Sequence, residues 1–171
     1  MGERIVIVVV AIVATLLQVL LAPHIAIGYA VPNFMAMFCL VVAIVRSDIV
    51  GPVLPFVMGL LFDLLSGGPV GGMAFSLTAI CALGSWFFQR ANNDTLFMAL
   101  VVLVVSVLLI DMLYGGLFLM FGYAAGVLEA FVYRVLPCFI YDAVLAIVLY
   151  LIVTRFLSKQ APYTSEIRHL Q

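Results

Sequence analysis

The sequence predicts an all-α, polytopic membrane protein with six transmembrane helices. Hydrophobic residues make up 67% of the chain and charged residues 9%, a composition that water-soluble globular proteins do not have. Several apolar stretches approach the roughly 20 residues that an α-helix needs to cross the hydrocarbon core of a bilayer. We therefore expect the 171 residues to form a single six-helix transmembrane domain over 1–157 and a polar cytoplasmic tail over 158–171.

The predicted spans follow one another along the whole chain. The first is longer than the apolar region of a typical signal peptide, so we expect an uncleaved helix. The second is short, and a re-entrant segment is the alternative. Polar connectors, "QRANND" and "GYAAGVLEAFVYR", flank the fifth span. In chain order the spans are about 5–22, 34–45, 49–66, 69–88, 96–121 and 135–157.

The positions of the basic residues predict the orientation, because short loops rich in Lys and Arg remain in the cytoplasm. With six spans and a cytoplasmic N-terminus, six basic residues are cytoplasmic and only Arg134 lies outside. Five spans would give a less favourable split of five to two. Both termini are therefore expected in the cytoplasm. The six residues are Arg4, Arg46, Arg90, Arg155, Lys159 and Arg168.

Charge and motif content exclude several functions. A formal net charge of -1 leaves no basic surface for nucleic acid. Cys39, Cys81 and Cys138 lie in apolar runs without CxxC spacing, so we interpret them as small hydrophobic residues. His24 and His169 are expected on opposite sides of the membrane and cannot share a metal ion. Without a nucleophile elbow, zinc motif or phosphate loop, we predict no enzyme, no cofactor and no metal site.

Polar residues inside the spans predict an outer polar cluster. Asp63 and Asp111 fall about 15 residues into their spans from the cytoplasmic side, and Asp142 about 7 residues in from the outside. Gln18 and Arg134 lie near the same side. Each buried charge costs about 2.5 to 3.5 kcal/mol on insertion scales and usually faces the bundle interior, a cavity or a partner.

Two roles are open for the second and third acids of this cluster. Asp111 and Asp142 could form a proton relay, as intramembrane acids often do. The simpler interpretation, which we prefer, pairs them with Arg134 or with the tyrosines Tyr114 and Tyr141.

The stretch "GLLFDLLSGGPVGG", residues 59–72, places Asp63 just before four glycines and a proline. Pro69 suits the first turn of a new helix, so the connection is a tight helical hairpin. The glycines allow the reversal and leave N–H groups uncovered at the start of span four. We expect Asp63 to bind these groups and so to stabilise the hairpin; substrate or proton binding and a partner contact are the alternatives. The hairpin residues are Asp63, Gly67, Gly68, Pro69, Gly71 and Gly72.

Small residues recur every fourth position through the hairpin into span four. Gly68, Gly72 and Ser76 would let another helix approach closely. The pattern favours helix packing within the chain, and a homodimer is the alternative.

From Pro32 to about Leu157 the sequence resembles the MreD family of rod shape-determining membrane proteins. A proline opens span two and an arginine precedes span three. The hairpin motif has a G-x3-D-x3-G core, and "LPCFIYDAVLAIVLYLIVTRF" forms the last span. Asp142 departs from the family pattern, because a neutral polar residue is more usual there.

The resemblance implies a non-enzymatic scaffold of the bacterial cell-wall elongation complex. Its expected partner is MreC and, through MreC, the proteins MreB, RodA and a transpeptidase. The resemblance also implies a six-helix fold similar to the substrate-binding subunits of energy-coupling-factor vitamin transporters. Such a subunit is the alternative function. It is disfavoured because those subunits dock through small residues spaced by four on the first helix, whereas Ala11 and Ala14 are three apart.

Overall fold

A computed structural model describes residues 2–27, 30–46, 51–90, 96–123 and 126–157, and these fold into six α-helices. A π-helical segment, Glu129–Val135, leads directly into the last helix. The all-α class is confirmed for the described residues, in which an isolated bridge between Ile27 and Ala30 is the sole extended pairing. The helices are α1 Gly2–Leu20, α2 Phe34–Val45, α3 Val53–Ser66, α4 Gly72–Arg90, α5 Leu96–Met120 and α6 Leu136–Leu157.

Three of the described helices have the length and apolarity to cross a membrane. They comprise Gly72–Arg90, Leu96–Met120 and Leu136–Arg155. The helices over Ile5–Leu20, Phe34–Val45 and Val53–Ser66 are apolar but shorter. The chain therefore has the character of a membrane protein, and the crossing of all six helices stays a prediction.

Helix α2 forms the centre of the bundle. It is apolar on every side, and all ten residues from Met35 to Ile44 are buried. A helix without a polar face must be surrounded by other elements, and α2 packs against α1, α3, α4, α5 and α6. The surrounding helices place their own apolar side chains outward, where lipid would cover them.

One predicted boundary at the hairpin differs from the structure. Helix α4 begins at Gly72, so Pro69 lies in the preceding turn and not in the first turn of the helix. The carbonyl oxygen of Pro69 accepts a hydrogen bond of 2.9 Å from the Gly72 N–H. Helix α3 begins at Val53. The predicted start of span three at Ile49, residues 91–94 of the connector "QRANND" and the tail at 158–171 lie outside the described residues. The first two residues of that connector, Gln89 and Arg90, belong to α4.

The predicted connector before span six is largely helical. Instead of a polar loop up to Arg134, the chain enters a π-helical segment at Glu129 and continues without a break into α6. The N–H of Leu136 donates to the carbonyl of Phe131, five residues earlier, as the wider π turn requires. The segment predicted as a polar connector is therefore helical from Val127 onward.

Candidate functional site

Successive helices alternate in direction, so the end of α3, the start of α4 and the start of α2 meet at one end of the bundle. We call this the hairpin end, because the α3–α4 turn at residues 67–71 lies there. The predicted polar residues of α1, α3, α5 and α6 all lie toward it. The functional candidates thus converge from elements that are distant in sequence.

The Asp63 carboxylate binds the start of α4. Its Oδ2 accepts hydrogen bonds of 2.9 Å from the Gly71 N–H and 3.3 Å from the Ala74 N–H. The Met73 N–H lies 3.1 Å from both carboxylate oxygens. The first N–H groups of a helix have no partner inside the helix, and its N-terminus carries a partial positive charge. Asp63, which is 1% exposed, supplies both the acceptors and the opposite charge.

The four glycines of the hairpin meet two different requirements. Gly67 and Gly71 have φ values of +67° and +90°, in the left-handed region where a side chain is strained. Gly68 and Gly72 have no such backbone requirement. A Cβ atom at Gly68 would collide with the Tyr114 hydroxyl of α5, whereas one at Gly72 would lie 3.2 Å from the Pro69 side chain and in ordinary contact, at 3.5 Å, with the Tyr114 ring.

The predicted stripe of small residues lies against the same chain. Gly68 precedes α4, so the stripe begins in the turn and not in the helix. Its two glycines face Tyr114 of α5. Ser76 is fully buried and its hydroxyl donates a hydrogen bond of 2.9 Å to the Gly72 carbonyl.

Gly59 is the first residue of the hairpin motif, and no packing role was predicted for it from the sequence. It lies one turn before Asp63 on α3. A Cβ atom there would lie 2.5 Å from the Ala74 Cα and 2.7 Å from the Ala74 nitrogen. The backbones of α3 and α4 therefore touch at Gly59. The signal was the four-residue spacing between Gly59 and Asp63, which places both residues on one helix face.

A second carboxylate binds the start of α2. Asp142 of α6 accepts a hydrogen bond of 2.8 Å from the Asn33 N–H. Asn33 in turn accepts 2.9 Å from the Ala36 N–H and is the N-cap of α2. An asparagine before an apolar run is a recognised start signal, whereas its bond to Asp142 joins residues 109 positions apart.

Gln18 holds the same segment from α1. Its Nε2 donates to the Pro32 carbonyl at 3.1 Å, and its Oε1 accepts from the Phe34 N–H at 2.8 Å. The side chain is 8% exposed. The start of the central helix is consequently bound by both the first and the last helix of the chain.

The preferred pairing of Asp111 and Asp142 with Arg134 or the tyrosines was wrong for the described residues. Asp142 binds backbone, as above. Arg134 places its guanidinium carbon 3.8 Å from the centroid of the Phe118 ring, a cation–π contact. The Tyr141 hydroxyl donates to the Ile25 carbonyl at 2.9 Å.

A cavity of about 340 Å³ lies at the hairpin end, and four of the five cluster residues line it. Asp63 is turned toward the hairpin instead. Asp111 Oδ2 and the Tyr114 hydroxyl are buried and have no hydrogen-bond partner within the described parts of the chain. In those same parts no three His, Cys, Asp or Glu residues are grouped as a metal site requires. The cluster residues at the cavity are Gln18, Asp111, Arg134 and Asp142.

The π-helical segment forms one wall of this cavity through Arg134 and Val135. A Cβ atom at Gly115 would collide with the Val135 side chain, so α5 and the segment are in close contact. Sequence reasoning missed this wall because the connector was taken to be a loop.

Comparison with known proteins agrees with the resemblance of the hairpin motif. No curated protein and no solved structure matches the chain. The family of the rod shape-determining protein MreD matches residues 2–160, nearly the whole length. The match includes the Asp63 hairpin, both helix starts bound by carboxylates and the cavity between them. The chain belongs to the MreD family of rod shape-determining membrane proteins.

Proposed function

We propose that the protein is a non-enzymatic scaffold in the membrane-embedded part of the bacterial cell-wall elongation complex. It would maintain rod shape by binding MreC and, through MreC, associate with MreB, RodA and a transpeptidase. The family match over residues 2–160 carries this proposal, because the family determines rod shape. The indirect partners follow from the family's place in that complex.

The contacts of the hairpin support a structural role for its carboxylate. Within the described residues, the hydrogen bonds that Asp63 accepts come from backbone N–H groups of its own hairpin. We propose that the motif builds a rigid end to the bundle, on which partner helices can pack. Association between helices in lipid depends on close van der Waals fit, which requires a surface of fixed shape.

We propose a six-span topology in the bacterial inner membrane with both termini in the cytoplasm. Arg46 follows α2, Arg90 ends α4 and Arg155 lies in the last turn of α6. All three lie at the end of the bundle opposite the hairpin, whereas Arg134 lies at the hairpin end. This distribution supports a periplasmic hairpin end, since basic residues remain on the cytoplasmic side.

Copurification and cell shape together test the scaffold. The tagged full-length protein is isolated from native membranes of a rod-shaped host, and bound MreC is identified by mass spectrometry. We expect MreC to be retained, and depletion of the protein to produce round cells. A tagged unrelated polytopic protein from the same membranes is the control. Rod-shaped growth after full depletion of the protein would contradict the proposal.

A substrate-binding subunit of a vitamin transporter is the second candidate, and the cavity is the observation that favours it. Such subunits have six helices and a polar pocket on the outer side. Against it, Ala11 and Ala14 of α1 are buried in the bundle, so they are not available to dock an energising partner. Saturable binding of a vitamin, lost in Asp111→Asn, together with rounding relieved by excess vitamin would favour this candidate.

A further inference from the structure

The cavity at the hairpin end contains an acceptor that no described residue satisfies. Asp111 is 8% exposed, and its Oδ2 is buried without a hydrogen-bond partner in the described chain. The Tyr114 hydroxyl, one turn further along α5, is also buried without a hydrogen-bond partner among the described residues. Leaving a buried carboxylate oxygen unpaired is costly. Both groups line one cavity, so a ligand that donates hydrogen bonds could satisfy them together.

A positive charge, the Arg134 guanidinium, lies beside the same face of α5, nearer the end of that helix. Asp111, Tyr114 and Phe118 are spaced by three and four residues, so they share one face of α5. The Arg134 guanidinium covers the Phe118 ring and lines the cavity. Seven residues of α-helix separate Asp111 from Phe118, about 10 Å along the axis. The Asp111 carboxyl group and the Arg134 guanidinium therefore line the cavity at different depths along α5.

We propose that this cavity binds the headgroup of phosphatidylethanolamine. The primary ammonium, with three donors, binds Asp111 and the Tyr114 hydroxyl, and the phosphate binds Arg134. Two carbons join the nitrogen to the phosphate ester in ethanolamine lipids, so one headgroup carries both the donor for the carboxyl group and the acceptor for the guanidinium.

The rim of the cavity supports a lipid over a water-soluble ligand. Three half-exposed apolar side chains line it. They are Val19 of α1 (47% exposed), Val31 before α2 (41% exposed) and Leu65 of α3 (54% exposed). These apolar side chains lie at the hairpin end, where the helices meet the interfacial layer of the bilayer in the proposed topology. A headgroup could enter between them while its acyl chains stay in the hydrocarbon core.

A second carboxyl group lines the cavity. It belongs to Asp142, whose Oδ1 accepts a hydrogen bond from the Asn33 N–H. The N–H donors of the ethanolamine headgroup distinguish it from the headgroups of other common lipids. A choline headgroup carries the charge but no N–H donors, and a glycerol headgroup has no positive charge.

Native mass spectrometry of the purified full-length protein tests the assignment. Phosphatidylethanolamine, phosphatidylcholine and phosphatidylglycerol with identical acyl chains are titrated separately. We expect phosphatidylethanolamine to bind about tenfold or more tightly than the other two, because a lost hydrogen bond to a charged group is worth that factor. Asp111→Asn and Arg134→Gln should each reduce this preference by a similar factor. Ser85→Ala, a hydroxyl change at an exposed site on α4, is the matched control and should leave binding unchanged.

The outcomes separate the lipid from other sources of the same groups. Equal binding of the ethanolamine and choline lipids, or an unchanged preference in Asp111→Asn, would overturn the proposal. Binding of water-soluble phosphoethanolamine as tight as that of the lipid would assign the cavity to a soluble ligand. Loss of lipid when MreC binds, with a lysine of MreC crosslinked at the cavity, would assign it to a protein partner.

A folding defect would not obscure the answer. Thermal unfolding of each variant is measured in the same lipid mixtures, and Tyr114→Phe removes only a hydroxyl from the cavity. If Asp111→Asn does not accumulate, Tyr114→Phe and Arg134→Gln carry the test. The proposal concerns the cavity alone and does not depend on the scaffold function, since MreC copurification can succeed whichever lipid is bound.

Discussion

The glycines of the hairpin meet two different requirements, a backbone conformation and close packing against neighbouring residues. Gly67 and Gly71 are needed because their φ values are positive, whereas Gly68 is needed because the Tyr114 hydroxyl lies against it, and Gly72 is close to Pro69. The sequence shows four identical letters for these two requirements. A substitution at each kind of glycine should therefore fail for a different physical reason.

A double substitution distinguishes the two kinds of glycine. Gly68→Ala is expected to lower the melting temperature, because the new Cβ collides with the Tyr114 hydroxyl. Adding Tyr114→Phe removes the colliding oxygen and should restore most of the loss. Gly71→Ala should cost about 1 to 2 kcal/mol through backbone strain. Tyr114→Phe should not restore it, because nothing lies within 4 Å of a Cβ at Gly71.

Thermal unfolding in detergent, monitored by the fluorescence of the protein, measures these four variants. Tyr114→Phe alone is the control for any effect of the hydroxyl itself. Equal rescue of Gly68→Ala and Gly71→Ala would show that Tyr114 does not act through contact.

Among the elements, the α3–α4 hairpin combines a backbone contact at Gly59 with a carboxylate at Asp63. The close approach at Gly59 brings the start of α4 within reach of the short Asp63 side chain. The carboxylate then satisfies N–H groups that lipid cannot satisfy. Neither feature is sufficient alone, because a wider separation of the helices would place the N–H groups beyond the reach of the carboxylate.

Two substitutions at Asp63 test this interpretation. Asp63→Asn keeps a carbonyl acceptor, so it should accumulate in membranes at a level closer to wild type. Asp63→Leu leaves the N–H groups of Gly71, Met73 and Ala74 without this acceptor, at about 1 to 3 kcal/mol for each group that stays unpaired. Quantitative immunoblots of membranes give the order. Wild-type amounts of the Leu variant combined with round cells would indicate a binding role instead.

Elements of this fold could be predicted where hydropathy and local turn signals decide them. Helices α2, α3 and α5 end close to their predicted positions because an apolar run simply stops. The start of α4 was placed too early, since Pro69 suits a turn as well as a first helical turn. The π-helical segment could not be predicted, because its wider turns follow from packing against α5 at Gly115.

The candidate site could be predicted where its partners are neighbours in sequence. The bonds of Asp63 reach no further than Ala74, 11 residues away, so the turn residues indicated them. Asp142 binds Asn33 across 109 residues, and nothing in a local pattern selects that partner. Arg134 was expected to bind an acid because the charges are opposite. Its contact with the Phe118 ring could not be predicted from charge.

In the molecule as a whole, a fully buried central helix is surrounded by five others whose outer faces are apolar. Arg46, Arg90 and Arg155 lie at one end, whereas Arg134 and the carboxylate-bound helix starts lie at the other. This polarity predicts that both termini are cytoplasmic. A reporter that is active only in the cytoplasm should be active when fused at either terminus, and a fusion within 67–71 should be silent.

A periplasm-active reporter at the same three positions should give the opposite pattern and controls for expression. A silent cytoplasmic reporter at one terminus would exclude an even number of crossings. The four residues at 47–50, between α2 and α3, supply a second cytoplasmic position for the same comparison.

The bond between Asp142 and Asn33 also bears on the order in which the chain is made. The central helix emerges from the ribosome second, yet the carboxylate that completes its start belongs to the helix that emerges last. During synthesis, the Asn33 N–H must therefore rely on headgroups, water or the insertion machinery. A chain cut short before α6 lacks this acceptor, so Gln18 of α1 would hold the start of the central helix without the last helix.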